Sequence, residues 1–361
     1  GQFVGSGAEN NVLIGYKCAK AKVKVVIPAQ NGIITNYIFD SEQYYYVHTF
    51  LTNSTFIVSS DITCDYLIVA GGGAGTAGMD DNNYPTGAGG GAGGLIYKTD
   101  IVFTVGTYNI SVGDGGSAEV RGSETEGGDS IISSKDTAKG GGQGANYSSL
   151  NGFDGGSGGG SRFLGGQGGS PISHNSLTIT QENITDNEVG IFGNVGRSSS
   201  NIVGDGSGGG AGSVGLSTGG GIGKQYSIKD GNFVYYAGGG SSTNSTTITP
   251  GGAGGGGASG AAGDGGNATP NSGGGGGGGF INAMGGNGGS GIIIIRYKFG
   301  DINEEFQGNN NTFIGYQAGL VNTIGNDNVA IGKECLQANK SGGTNVAIGK
   351  ECLQANISGH S

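Results

Sequence analysis

An Ile-Gly pair returns at positions 314/315, 331/332 and 348/349, a 17-residue spacing that ties the C-terminal part of the chain to a stacked rather than a globular design. The surrounding segments read Asn311-Thr-Phe-Ile-Gly-Tyr-Gln-Ala318, Asn328-Val-Ala-Ile-Gly-Lys-Glu-Cys335 and Asn345-Val-Ala-Ile-Gly-Lys-Glu-Cys352. The N-terminal Asn11-Val-Leu-Ile-Gly-Tyr-Lys-Cys18, with Ile14 and Gly15, fits the same template. Alternation predicts a short strand in each copy, with Val329 and Ile331 pointing inward and Gly332 allowing a turn or a close backbone approach. Val346, Ile348 and Gly349, and Ile314 and Gly315, hold the equivalent places. One such coil cannot bury its own apolar face. Stacked coils can, because each rung hydrogen-bonds to the next and the Ile and Val columns line up as a core. Cys335 and Cys352 share one phase of the repeat. They read as small buried thiols, with a disulfide between them as the alternative, and no CxxC or Cys/His metal spacing involves them, Cys18 or Cys64.

These repeats resemble the left-handed parallel β-roll of trimeric autotransporter adhesin heads (the YadA-like type) and the related N-x-A-I-G-Y-Q-A-L repeats of phage and giant-virus fibres. Their 17-residue length exceeds that of the bacterial adhesin repeat. The resemblance implies a parallel homotrimer.

Between the repeats, glycine dominates. The chain has 87 Gly in 361 residues, including seven in a row from Gly273 to Gly279, against roughly 7 % Gly in ordinary proteins. Collagen is excluded by the lack of a G-X-Y period and by only five Pro. Disorder normally combines low hydrophobicity with high charge, whereas charged residues make up just 12 % here. Strand-forming segments border the tracts: Tyr44 to Phe50, Ser54 to Ser59, Leu95 to Tyr97, Tyr108 to Val112, Asp129 to Ser133 and Phe233 to Ala237. Asp65 to Ala70 and Ile292 to Tyr297 are uninterrupted apolar runs, the mark of strands buried on both faces. The first and last strands of this unit are expected to share a sheet, so that the unit sits as an insertion. A single glycine run reads as a flexible linker. Many runs bounded by apolar strands suit rods of three-fold, polyproline-like helix packed side by side, since only Gly lets backbones approach so closely.

The order of motifs, Tyr66 to Gly73, Gly89 to Gly94, Gly106 to Gly116 and Gly288 to Tyr297, resembles the glycine-rich domain of phage and marine-virus fibre proteins. A related phage tail-tip adhesin packs its tracts as a polyglycine sandwich whose loops contact the host. The expected fold is therefore all-β: β-roll repeats at 1–36 and 300–361 flanking a sandwich-like glycine-rich domain at 37–299 with polyglycine II segments.

Other chemistry finds little support. The net charge of −10 disfavours nucleic acid, and Lys20, Lys22 and Lys24 read as one solvated strand face. No 18-residue apolar run spans a membrane. The chain begins without Met or a signal peptide, which suggests an excerpt of a longer protein. Gly73-x-Gly75-x-x-Gly78 after a buried strand matches the dinucleotide fingerprint, but Met79 to Pro85 is no helix start. His48 reads as structural and His174 as a loop residue, and with His360 they form no catalytic or metal constellation. Asp80, Asp81, Glu124 and Glu126 lack EF-hand spacing. Neither a cofactor nor a catalytic function is expected. Nine N-x-S/T sequons, at Asn53, Asn109, Asn146, Asn183, Asn244, Asn267, Asn310, Asn339 and Asn356, are candidate glycosylation sites.

The sequence thus points to a structural and adhesive segment of an extracellular or virion-surface fibre that associates with itself. The polar loops Met79 to Pro85, Pro171 to Val189 and Ser241 to Thr249 are its candidate contacts to a host glycan or receptor. A bacterial surface adhesin or matrix filament is the alternative.

Overall fold

The computed structural model describes residues 12–14, 29–39, 43–78, 87–119, 122–162, 165–172, 187–199, 206–242, 247–261, 263–298, 310–320, 322 and 324–358. Among them every regular element is a strand, none of the sheets closes into a barrel, and no helix is long and apolar enough to cross a membrane. The chain divides into two compact units, Ala29–Lys298 and a second formed by Gly1–Pro28 with Phe299–Ser361.

In Ala29–Lys298 a six-stranded antiparallel sheet runs in the order Gly190–Phe192, Leu95–Phe103, Ile62–Val69, Ile292–Lys298, Gln43–Phe50, Ile33–Phe39. The last strand of the unit lies between two of the earliest, which pins the two ends of the domain together. Residue 37 is no boundary. Ile33–Phe39 pairs with Gln43–Phe50 along its whole length and belongs to this unit. A five-stranded antiparallel sheet (Asp136–Ala138, Ser130–Ile132, Gly106–Ser111, Ser54–Val58, Ala29–Gln30) covers one face. Phe50, Phe56, Tyr66, Phe103 and Tyr108 fill the space between with edge-to-face contacts, at 5.5 Å for Phe56–Phe103 and 4.9 Å for Phe103–Tyr108. The opposite face buries Leu67, Val69, Leu95, Tyr97, Ile292 and Ile294 with Phe192, Tyr226 and Tyr236. Burial on both sides explains the unbroken apolar runs.

The glycine tracts are ordered, and their hydrogen bonds repeat every third residue. In 70–78, the amides of Ala70, Gly73 and Thr76 donate to Gly94, Gly91 and Ala88. Those of Gly71 and Ala74 donate to Gly128 and Thr125, and those of Gly72, Gly75 and Gly78 to Gly289, Gly286 and Ala283. The carbonyls obey the same period: Gly71 and Ala74 accept from Gly141 and Gly144, Gly73 and Thr76 from Gly276 and Gly279, and Gly72 from Gly116. Successive peptides thus face different neighbours, as a three-residue turn without internal hydrogen bonds requires. The result is a rod ringed by others, some parallel and some antiparallel to it. Side chains are excluded by distance. A Cβ on Gly75 would lie 2.1 Å from the Gly277 carbonyl oxygen, and one on Gly276 1.9 Å from that of Gly286. Ala74, Ala77, Ala88 and Ala92 occupy the places where a methyl fits, and all are buried.

The second unit holds a four-stranded parallel ladder, Val12–Ile14, Thr312–Ile314, Val329–Ile331 and Val346–Ile348, in 17-residue register from its second strand onward. The first rung pairs directly with the second although all of Ala29–Lys298 intervenes. The inward phase is opposite to the expectation. Phe313, Ala330 and Ala347 face in with Ala318, Cys335 and Leu336, whereas Ile314, Val329, Ile331, Val346 and Ile348 face out. The coil is narrow, and polar ladders take part of its interior. Asn328 donates through N and Nδ2 to Asn311 Oδ1, both at 3.0 Å, and Asn345 does the same to Asn328 Oδ1 at 3.1 and 2.9 Å. A second column runs from Asn339 Nδ2 to Asn322 Oδ1 at 2.8 Å. Gly315, Gly332 and Gly349 serve as expected: each has φ near +130°, and a Cβ on Gly332 would sit 2.2 Å from the Gly349 oxygen of the next rung. Gly15 lies outside the described residues.

Candidate functional site

Two surfaces stand out, the ends of the glycine rods and the outer face of the β-roll. Where a rod runs out, its last peptides lose their neighbouring rod, and side chains replace it. Ser199 N–H donates to Ser161 Oγ at 2.6 Å, Ser242 Oγ to the Gly87 carbonyl at 2.8 Å, and Thr76 Oγ1 to the Ala145 carbonyl at 2.8 Å. Arg162, buried among the rods, donates Nη2 to the Ala77 carbonyl at 2.8 Å, while Ala77 N–H reaches Glu124 Oε1 at 3.3 Å. Glu124 is thus a rod cap. Glu126 sits beside Asp154 and Asp129, and burial together with those charges raises its pKa. Among the described residues no group of three His, Cys, Asp or Glu is placed to hold a metal.

Residues 79–86, 173–186 and 243–246 lie outside the described residues, which takes in Met79 to Pro85, Asp80, Asp81 and His174. The flanks of the other two candidate loops are structural. Glu188 pairs with the buried Lys224 at 2.6 Å, Asn187 accepts from Ser227 N–H at 3.0 Å, and Ser241 and Ser242 are buried lattice residues. The sequence reading missed the turn from Asn146 to Asn151. It presents Tyr147 and Leu150, 50 % and 51 % exposed, on a fixed base. Arg162 lies over the Tyr147 ring at 5.4 Å and donates its amide to the Leu150 carbonyl. Two large apolar residues in a Ser/Asn stretch between glycine tracts were the available signal.

The dinucleotide-like glycines have other work. The Gly73, Gly75 and Gly78 amides donate to Gly91, Gly286 and Ala283, so the backbone that would cradle a pyrophosphate is bound to other rods. His48 is buried between the sheets. Lys20, Lys22, Lys24, Cys18 and His360 lie outside the described residues.

On the β-roll, Val346 and Ile348 are 59 % and 64 % exposed and continue the half-buried line of Val329, Ile331 and Ile314. Cys64, Cys335 and Cys352 are free thiols. Burial pushes the Cys335 and Cys64 thiols up, Cys64 with help from Asp65.

The sequons divide. Asn339 and Asn146 are buried, Asn339 inside the ladder, so neither side chain is open to a glycosyl carrier in the folded chain. Asn356 Nδ2 donates to Asn339. Asn53, Asn109, Asn267 and Asn310 are exposed, and Asn183 and Asn244 lie outside the described residues.

A family model for the glycine-rich domain matches residues 49–298, so the chain belongs to that family. Comparison with curated proteins returns no match.

Proposed function

We propose that the chain is a segment of a long extracellular fibre, displayed on a virion, in which the β-roll forms the shaft and the glycine-rich domain is carried as an inserted module. Its working form is a parallel homotrimer, and its role is structural and adhesive rather than catalytic. Loops at the ends of the glycine rods contact a host glycan or receptor. One observation carries the reading: the rung Val12–Ile14 pairs in register with Thr312–Ile314 across the whole inserted domain. A ladder that resumes after such an interruption is a continuous support rather than a terminal cap. The outward Val and Ile line supports self-association, because a flat apolar stripe on a parallel ladder invites burial against another copy. The likeness of the repeats to trimeric adhesin heads and viral fibres supports three copies.

Native mass spectrometry tests the assembly. The expected mass is three times the 35.4 kDa chain, and Ile331→Asp with Ile348→Asp should release monomers that keep their β circular dichroism. A wild-type monomer at micromolar concentration would overturn the trimer. Deleting 79–85 together with 173–186 without loss of host-surface binding would remove the adhesive role.

A further inference from the structure

The chain enters its glycine-rich unit along two edges. Ala29–Gln30 borders the five-stranded sheet, and Ile33–Phe39 borders the six-stranded one. Between them Asn31 and Gly32 both turn with φ of +77°, and residues 31–36 are all exposed. Such a segment has little burial to hold it. What reaches it from inside is His48, fully buried on the neighbouring strand Gln43–Phe50. Its Nδ1 is 2.7 Å from the Asn31 carbonyl and its Nε2 is 3.2 Å from the Tyr297 hydroxyl, which the Ala29 backbone also hydrogen-bonds. Asn31 O can only accept, so Nδ1 carries the proton and Nε2 accepts from Tyr297. The neutral ring is satisfied on both sides and ties Ala29 and Asn31 to the closing strand.

We propose that His48 is the pin of an acid-sensitive latch, whose protonation frees Ala29–Phe39 while the remaining strands and the glycine lattice stay folded. The imidazolium would turn Nε2 into a donor facing a hydroxyl that already receives the Ala29 amide, stranding the Tyr297 proton. Among the described residues no unpaired carboxylate faces the ring to offset the new charge. On the same face Gln43–Phe50 contributes Tyr46, Ile292–Lys298 contributes Tyr297, and Ile62–Val69 contributes Cys64 and Tyr66. Tyr66 is bonded to Asp136, which is paired with Lys98 at 2.8 Å. Ser54–Val58 offers the Phe56 ring, 5.1 Å from the imidazole, and Ile33–Phe39 sets Ile34 opposite it. Lys135 lies over Phe103 and Tyr108.

Burial holds the His48 pKa below the ordinary 6.5. The opened chain therefore takes up the proton first, so the closed form is fully favoured above pH 6.5 and weakens as pH falls from there.

Hydrogen exchange of the whole chain at pH 7.5 and 5.0, corrected for intrinsic rates, tests the latch. In the wild type, peptides covering 29–39 should lose protection at least tenfold at pH 5.0 while those covering 62–69 hold. His48→Gln should remove that pH dependence, and Tyr297→Phe should loosen the segment at both pH values. Equal protection of 29–39 at the two pH values in the wild type would overturn the proposal whatever the variants do. So would a loss spread evenly over the whole domain.

Discussion

At Gly276 the absence of a side chain is what holds the fold together. Its amide donates to Gly73 and its carbonyl accepts from Gly90, and a methyl there would meet the Gly286 oxygen at 1.9 Å. Gly276→Ala should therefore destabilise the domain by about 1–3 kcal/mol, the usual cost of overpacking. Gly263→Ala, where a Cβ meets nothing within 4 Å, should stay within about 0.5 kcal/mol. Denaturant unfolding of the two variants checks the contrast. The thiols offer a second check at this scale. Cys352 is half-exposed, whereas Cys335 and Cys64 are buried with raised pKa. In the folded protein at pH 8, iodoacetamide should modify Cys352 well ahead of the other two, which should react only after denaturation. Peptide mapping reads the order.

At the scale of the element, the rung shows what was legible and what was not. The 17-residue period, the parallel ladder and the role of Gly332 could be read from the repeated Ile-Gly. The phase could not, because strict alternation offers two faces and hydrophobicity alone selects Val and Ile for the inside. The repeated Asn was the overlooked signal. Asn328 has the same parity as Ala330, and a ladder of amides needs the narrow interior that small Ala leaves room for. Asn328→Ala should strand the partners above and below, costing about 1–3 kcal/mol, visible as a lower midpoint in thermal unfolding. Longer apolar strands such as Ile292–Lys298 were recognisable because both of their faces are buried. The three-residue strands Asp136–Ala138 and Gly190–Phe192 were not. They have no period of their own, and their neighbours impose them.

At the scale of the whole molecule, most of the apolar chain goes into one sandwich and one roll, and the remainder of the order comes from backbone. Ordering glycine carries the largest conformational cost of any residue. A rod whose peptides bond to neighbouring rods along most of its length supplies the compensation, and each tract can do this only when the others are already beside it. The Tyr147 turn and the serine caps belong to this scale too. They lie at rod ends that no local pattern marks, which is why the sequence reading placed its contact loops elsewhere. The lattice is tested most directly by hydrogen exchange across 70–78, 87–94 and 273–279. Amides in these tracts should be protected to within tenfold of those in Ile62–Val69 and should exchange with them in one cooperative unfolding step. Exchange of the glycine amides at the rate of an open chain, while the sheet stays protected, would contradict the account.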